Sequence, residues 1–430
     1  MSKNIKFKKK ILDNGIRVML IPQKKSNIIS MGIFVKAGSR NENKYNNGIA
    51  HFLEHMMFKG TKKRDTKKLL NDLDNRGAYY NAATSYEYTM YEVHGNYKDS
   101  SFFIDILLDI YKNSTLKKKD IKIEKGVIKE EINMYLDNNR RIVSDILYSM
   151  IYKNSSMGMS IIGPKKNILN FKKNDFVDFK NKFYLPENTV IVVTGKFDEK
   201  KIYSKIKKEM NNFYRENMKI DQEKNIIKYI QRKPNYKFIK KKLRQTIITI
   251  SFRSKSMYNI KDNMKINLLC EILTGGTTSI LFDLLRTKLG LVYYVSANNY
   301  EHIDSGIFKI DIGADNDNVL KVIKVVLNEL KKIKKKLIND TIIKKIKKLS
   351  ETIMLFQLED HMNLLFRYGF SELFFKKYMS IEEEFKRQKK VNSKDIINIS
   401  NEIFKKENLN IVVMGNVDSK EKIIKEINNF

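Results

Sequence analysis

A repeat of very long period constrains this chain more than any other feature. Residues 187–213 read ENTVIVVTGKFDEKKIYSKIKKEMNNF, and residues 407–430 read ENLNIVVMGNVDSKEKIIKEINNF. Glu187 and Asn188 align with Glu407 and Asn408, Gly195 with Gly415, and Asp198 with Asp418, each pair 220 positions apart. Each copy is an apolar run, a turn and an amphipathic stretch closing on Asn-Asn-Phe, which reads as a strand followed by a helix. A strand–helix unit recurring at that period means a duplicated domain, not a solenoid of short repeats. The 430 residues suit two cores better than one. Residues 214–235 are polar, charged and contain Pro234, the composition of a linker. We expect domains at 1–215 and 236–430 joined by a linker at 216–235.

Within each half, apolar alternation marks strands at Ile28–Lys36, Tyr79–His94, Thr246–Ser254 and Ile307–Gly313, and Asn14-Gly15 reads as a tight hairpin turn. Helical periodicity marks Ser101–Tyr111, Lys118–Asn138 and Val319–Lys334. The expected fold class is α+β: two homologous domains, each a mostly antiparallel sheet with helices packed on one face.

Several function classes are disfavoured. The longest apolar runs, such as Thr189–Val193, fall far short of the roughly 18 residues that a membrane helix needs, so no membrane span is expected. The basic stretch Met1–Lys10 has no apolar region after it, so no secretory signal is expected. A single cysteine, Cys270, excludes an intrachain disulfide framework and suits a reducing compartment. The formal charge of +34 invites a nucleic-acid reading. Its excess is nearly all Lys, spread along the chain among Asn and Ile, as AT-rich coding produces. We read it as a solvated surface and expect no specific nucleic-acid partner. The expected location is cytoplasmic, with a mitochondrial matrix-like compartment as the alternative.

The chemistry-bearing motif is GIAHFLEHMMFKGT at residues 48–61. On a helix, His51, Glu54 and His55 fall at i, i+3 and i+4 and share one face. Two imidazoles one turn apart can hold one zinc ion, and the carboxylate between them is placed to deprotonate a metal-activated water. His-x-x-Glu-His is the inverted zincin motif. A third ligand is required, and spacing alone leaves it open. Glu131, on the helix Lys118–Asn138, is a candidate because it lies on a partly apolar face where an unpaired carboxylate would be costly. Glu124 returns to nearly the same face seven residues earlier and could orient a ligating histidine.

Four segments together resemble the pitrilysin-type inverted zinc metallopeptidases, and within them the mitochondrial processing peptidase beta subunits and their bacterial homologues. They are GIAHFLEHMMFKGT, NAATSYEYTMYEV (81–93), EKGVIKEEI (124–132) and LLRTKLGLVYYVSA (284–297). The resemblance implies one zinc per chain on His51, His55 and Glu131. It implies Glu54 as general base and Glu124 behind the ligands. It implies Asn81 and Ala82 on an edge strand that receives an extended substrate, and Arg286 and Tyr293 as groups that polarise the scissile carbonyl. The implied activity is a zinc endopeptidase acting on unstructured peptides or presequence-like segments. The implied assembly is a homodimer, or a heterodimer with a non-catalytic homologue.

Two departures stand out. Of the acidic pair that meets basic presequences in the processing enzymes, the first place reads Arg141, beside Arg140, and only Asp145 retains an acid. The second half carries NLLCEILTGGT at residues 267–277, where Asn267, Cys270 and Glu271 stand for His51, Glu54 and His55, so no second metal site is expected. The competing expectations are a non-catalytic scaffold of the same fold and a basic nucleic-acid-binding protein.

Overall fold

The computed structural model describes residues 5–214 and 230–430. Positions 216–229 of the expected linker therefore lie outside the described residues. The chain forms two compact units, one of Met1–Met134, Met159–Asn225 and Leu355–Ser380, the other of Tyr135–Gly158, Ile226–Met354 and Ile381–Phe430.

The first unit is built on a six-stranded sheet: β1 (Lys8–Ile11), β2 (Arg17–Pro22), β3 (Ile28–Val35), β4 (Tyr79–Thr84), β5 (Thr89–Asn96) and β6 (Thr189–Gly195), in the order β1-β2-β6-β3-β5-β4. Only β2 and β6 run parallel. The β1–β2 hairpin turns at Asn14-Gly15, where Gly15 takes φ +93° and donates its N–H to Leu12 O at 2.8 Å. The helices of the first half include α1 (Ile49–Met57), α2 (Ser100–Asn113) and α3 (Lys118–Asp137). The stretch Tyr79–His94, expected as one strand, folds back as the hairpin β4–β5. Ser85 N–H donates to Tyr88 O at 2.8 Å, and the turn is held from outside by Ser39 N–H on Ser85 O (3.1 Å) and Arg40 N–H on Tyr86 O (2.7 Å). No Gly or Pro marks this turn, so tertiary contact decides where it falls.

The second unit repeats the plan with β7 (Asn235–Lys240), β8 (Thr246–Ser254), β9 (Val292–Glu301), β10 (Gly306–Ala314) and β11 (Leu409–Gly415), in the order β7-β11-β8-β10-β9. Five strands of the first sheet, β2-β6-β3-β5-β4, have the same sequence order and the same single parallel pair. Its helices include α4 (Asn139–Ile151), α5 (Ile260–Thr274) and α6 (Val319–Ile333). Ile248, Ile250 and Phe252 of β8 join α5 and α6 in one apolar core.

Each unit borrows one helix from the other half of the sequence. α4, encoded in the first half, belongs to the second unit, where Arg253 of β8 donates to Ile151 O at 2.7 Å. In return α7 (His361–Phe370) belongs to the first unit. A Cβ on Gly32 of β3 would meet Leu365 of α7 at 3.1 Å, whereas one on Gly95 of β5 would meet Phe103 of α2 at 2.6 Å. Gly32 and Gly95 lie on opposite faces of the sheet. The main helical layer therefore covers one face, and the borrowed helix crosses the other. Among the described residues no helix is long and apolar enough to cross a membrane.

Candidate metal centre

The site is assembled on α1. The helix starts at Gly48, whose φ of +99° and whose missing Cβ both matter, because a Cβ would meet Ile162 O at 2.9 Å. Ile49, Ala50, Phe52, Leu53, Met56 and Met57 are buried and anchor one side of α1, with Phe52 edge-on to Phe176. That leaves His51, Glu54 and His55 together on the other side.

A buried carboxylate that the sequence did not flag holds the start of α1. Glu42 Oε2 accepts Gly48 N–H (2.9 Å) and Asn47 Nδ2–H (2.8 Å), and Oε1 accepts Ala50 N–H (2.8 Å). These are among the donors a helix start leaves unsatisfied. Burial pushes the Glu42 carboxyl up to about 7 from 4.5, against the pull of its three donors. Between those values the folded state binds more protons than the unfolded one, so this group's contribution to stability falls as pH rises through that window. Denaturant titrations of wild type and Glu42→Gln should therefore diverge in favour of the variant from 4.5 to about 7. A pH-independent difference would show that Glu42 titrates normally.

α3 supplies two further carboxylates. Its buried stripe is Ile121, Glu124, Ile128 and Ile132, and Glu131 lies beside that stripe, seven residues beyond Glu124. The face is less apolar than expected: Val127, four residues before Glu131, is exposed, and the Glu131 side chain keeps 36% of its surface. The imidazoles, not apolar neighbours, are what Glu131 faces. Its Oε1 lies 3.5 Å from His51 Nε2 and its Oε2 lies 3.5 Å from His55 Nε2. Ligand atoms of His51, His55 and Glu131 all lie within 4.8 Å of one another, and among the described residues this is the one such group.

The donor set fits zinc. Two donors on one tetrahedral ion at about 2.0–2.1 Å are about 3.3 Å apart, close to the spacing seen here. Behind the ligands, His55 Nδ1–H donates to Glu124 Oε1 at 2.9 Å, which leaves the Nε2 lone pair facing Glu131. Lys59 Nζ sits 2.7 Å from Glu124 Oε2. Burial raises the Glu124 carboxyl, but His55 and Lys59 outweigh it and hold the group below its ordinary value. Burial lowers His55, yet the Glu124 hydrogen bond and the Glu54 and Glu131 carboxylates hold it above its ordinary value. So negative a pocket around a ring nitrogen suits a cation. Glu124→Ala should weaken zinc affinity about 10- to 100-fold in a chelator-competition titration. Undiminished affinity would mean that His55 needs no orienting partner.

Glu54 is on the same helix, one residue before His55. Its Oε2 accepts the Thr84 hydroxyl at 2.6 Å, a partner absent from the sequence-based expectations. Asn81 and Ala82 lie on β4, the outermost strand of the sheet, paired on one side with Glu92 and Tyr91 of β5.

The remaining expected site residues belong to the second unit. Arg286 is exposed in the π-helix Asp283–Lys288 with its guanidinium over the Phe282 ring, 5.0 Å from the centroid. Tyr293 is exposed on the outer strand β9. Asp145, on α4, accepts the Tyr135 hydroxyl at 2.8 Å. In α5, Asn267 donates to Glu301 Oε1 (3.3 Å), and burial pushes the Cys270 thiol well up, away from a nucleophilic thiolate.

Site and fold together define a class: a duplicated α+β scaffold whose first copy carries an inverted zincin motif. Residues 17–165 match the insulinase family, peptidase family M16, and residues 170–350 match the M16 inactive domain. Over 406 residues the chain is 31% identical to an "Uncharacterized zinc protease" of Rickettsia felis, covering 94% of this chain and 96% of that protein. The chain belongs to peptidase family M16. It is also 41% identical over 186 residues to "Mitochondrial-processing peptidase subunit beta" of Rattus norvegicus, across 43% of this chain and 37% of that one. The fold matches the crystal structure of a protease from Helicobacter pylori with a TM-score of 0.88, over 96% of this chain and 100% of that one, at 21% identity. These relatives support a peptidase function in general terms, with zinc as the metal.

Proposed function

We propose that the chain is a zinc-dependent endopeptidase that cleaves unstructured peptides or presequence-like segments, with one metal ion per chain. The observation that carries this reading is the convergence of His51, His55 and Glu131 on one small space with Glu54 beside it.

His51, His55 and Glu131 would hold the ion, and Glu124 keeps His55 in the tautomer that presents Nε2. When bound, zinc supplies Lewis-acid polarisation of the scissile carbonyl and acidifies water. Glu54 takes a proton from the attacking water and delivers it to the leaving amine. Asn81 and Ala82, on an edge strand with one side unpaired by the sheet, receive the substrate backbone by strand addition. Arg286 and Tyr293 are proposed as donors to the developing oxyanion, and Asp145 as a contact for substrate cations.

In domain terms, residues 1–215 are the metal-binding part, 216–235 the linker, and 236–430 the part that adds substrate contacts. The match of residues 170–350 to an inactive domain concerns the half where Asn267, Cys270 and Glu271 stand at the motif positions. A dimer, with a second copy or with a non-catalytic homologue, is the assembly we propose. A cytoplasmic location is proposed with it.

The test uses the purified full chain and an unstructured peptide library. Cleavage that a chelator abolishes and zinc restores, with about one zinc per chain, supports the reading. Chelator-resistant cleavage, or a chain that binds no zinc, would sink it.

A further inference from the structure

The hydroxyl of Thr84 sits where a half-buried strand threonine would ordinarily bond to backbone. Here it donates to Oε2 of Glu54, at 2.6 Å. The donor is held unusually firmly. Thr84 is the last residue of β4 and pairs with Thr89, whose own hydroxyl donates to Ala37 O at 2.8 Å. The turn between them rests on residues 38–40, and the approach is so close that a Cβ on Gly38 would lie 2.3 Å from Ser85 O. A buried ion pair locks the same turn, with Arg40 2.6 Å from Glu87 Oε1. The acceptor is firmly held too, because α1 is anchored by its apolar face and by Glu42.

We propose that Thr84 is a positioning residue for the general base. By occupying one oxygen of Glu54, it fixes where the other oxygen points. It also ties the base to β4, the strand that carries Asn81 and Ala82, so the strand that receives substrate and the group that moves the proton share one rigid connection. A carboxylate free to rotate would spend most of its time misaimed. A hydrogen bond from a fixed donor to a charged acceptor is among the stronger single contacts available to prevent that. The inference rests on the reading of Glu54 as base.

The test is steady-state hydrolysis of a fluorogenic unstructured peptide by the full chain. Thr84→Val, nearly the same shape without the hydroxyl, should lower kcat about ten- to hundredfold, with KM and zinc content close to wild type. Thr84→Ser restores the donor and should recover most of the loss. Thr84→Ala serves as a second hydroxyl-free variant should the valine chain not fold, with thermal melting as the check on folding. In a Glu54→Gln background, Thr84→Val should add little further loss. The inference is overturned if the hydroxyl-free variants keep wild-type kcat, if Thr84→Ser falls as far as they do, or if Thr84→Val lowers the residual rate of Glu54→Gln by its full factor. The base assignment fails separately, and visibly, if Glu54→Gln alone keeps wild-type kcat with zinc bound.

Discussion

Glu54→Gln is expected to lower kcat for peptide hydrolysis by about two to four orders of magnitude while zinc content stays at one per chain. Gln has nearly the volume of Glu and can still accept the Thr84 hydroxyl, so α1 and the hairpin beside it are undisturbed. His51, His55 and Glu131, which would hold the ion, are untouched. What is lost is the ability to take up and return a proton. The clean reading comes from measuring kcat, KM and bound zinc on one preparation. Wild-type turnover by a fully zinc-loaded variant would show that another group is the base.

The second large effect concerns stability. Glu372 is fully buried just beyond α7, in the first unit, and three groups converge on its carboxylate. Lys9 Nζ of β1 lies 2.8 Å from Oε1, Arg17 Nε of β2 lies 3.8 Å from the same oxygen, and the Tyr378 hydroxyl donates to Oε2. Arg17 is itself buried. Burial pulls its guanidinium down, and Glu372 is the leading charge that opposes this. Glu372→Ala removes the carboxylate that both cations share and should cost about 3–5 kcal/mol, the range for breaking a buried pair from one side. Denaturant unfolding followed by far-UV circular dichroism measures it. A loss below about 1 kcal/mol would put this cluster in the class of exposed pairs of little worth.

What could be read from the sequence divides along physical lines. The duplication was legible because two strand–helix units keep the same residues at the same turn, Gly195 and Gly415 at strand ends and Asp198 and Asp418 ahead of helices. The heart of the site was legible because His51, Glu54 and His55 are spaced by a single helical turn, so local geometry alone brings them together. Glu131 needed more: its helix face did not single it out, and that face is less apolar than expected, with Val127 exposed. Glu42 escaped notice because it caps α1 from six to eight residues away in sequence instead of from the ordinary capping position. Thr84 escaped because its partner lies thirty positions away and the β4–β5 turn carries no Gly or Pro. The crossing of α4 and α7 into the opposite units was hidden for a general reason. An amphipathic pattern tells that one face of a helix is buried, but not which sheet buries it.

That crossing bears on how the molecule can come apart. A cut between Tyr214 and Ile230 would leave two fragments, each still holding a helix that completes its neighbour's sheet. Neither fragment made alone has all its secondary structure at hand, whereas the two expressed together have every piece. Gene duplication produced two copies of one plan, and each copy now lends a helix to the unit built on the other.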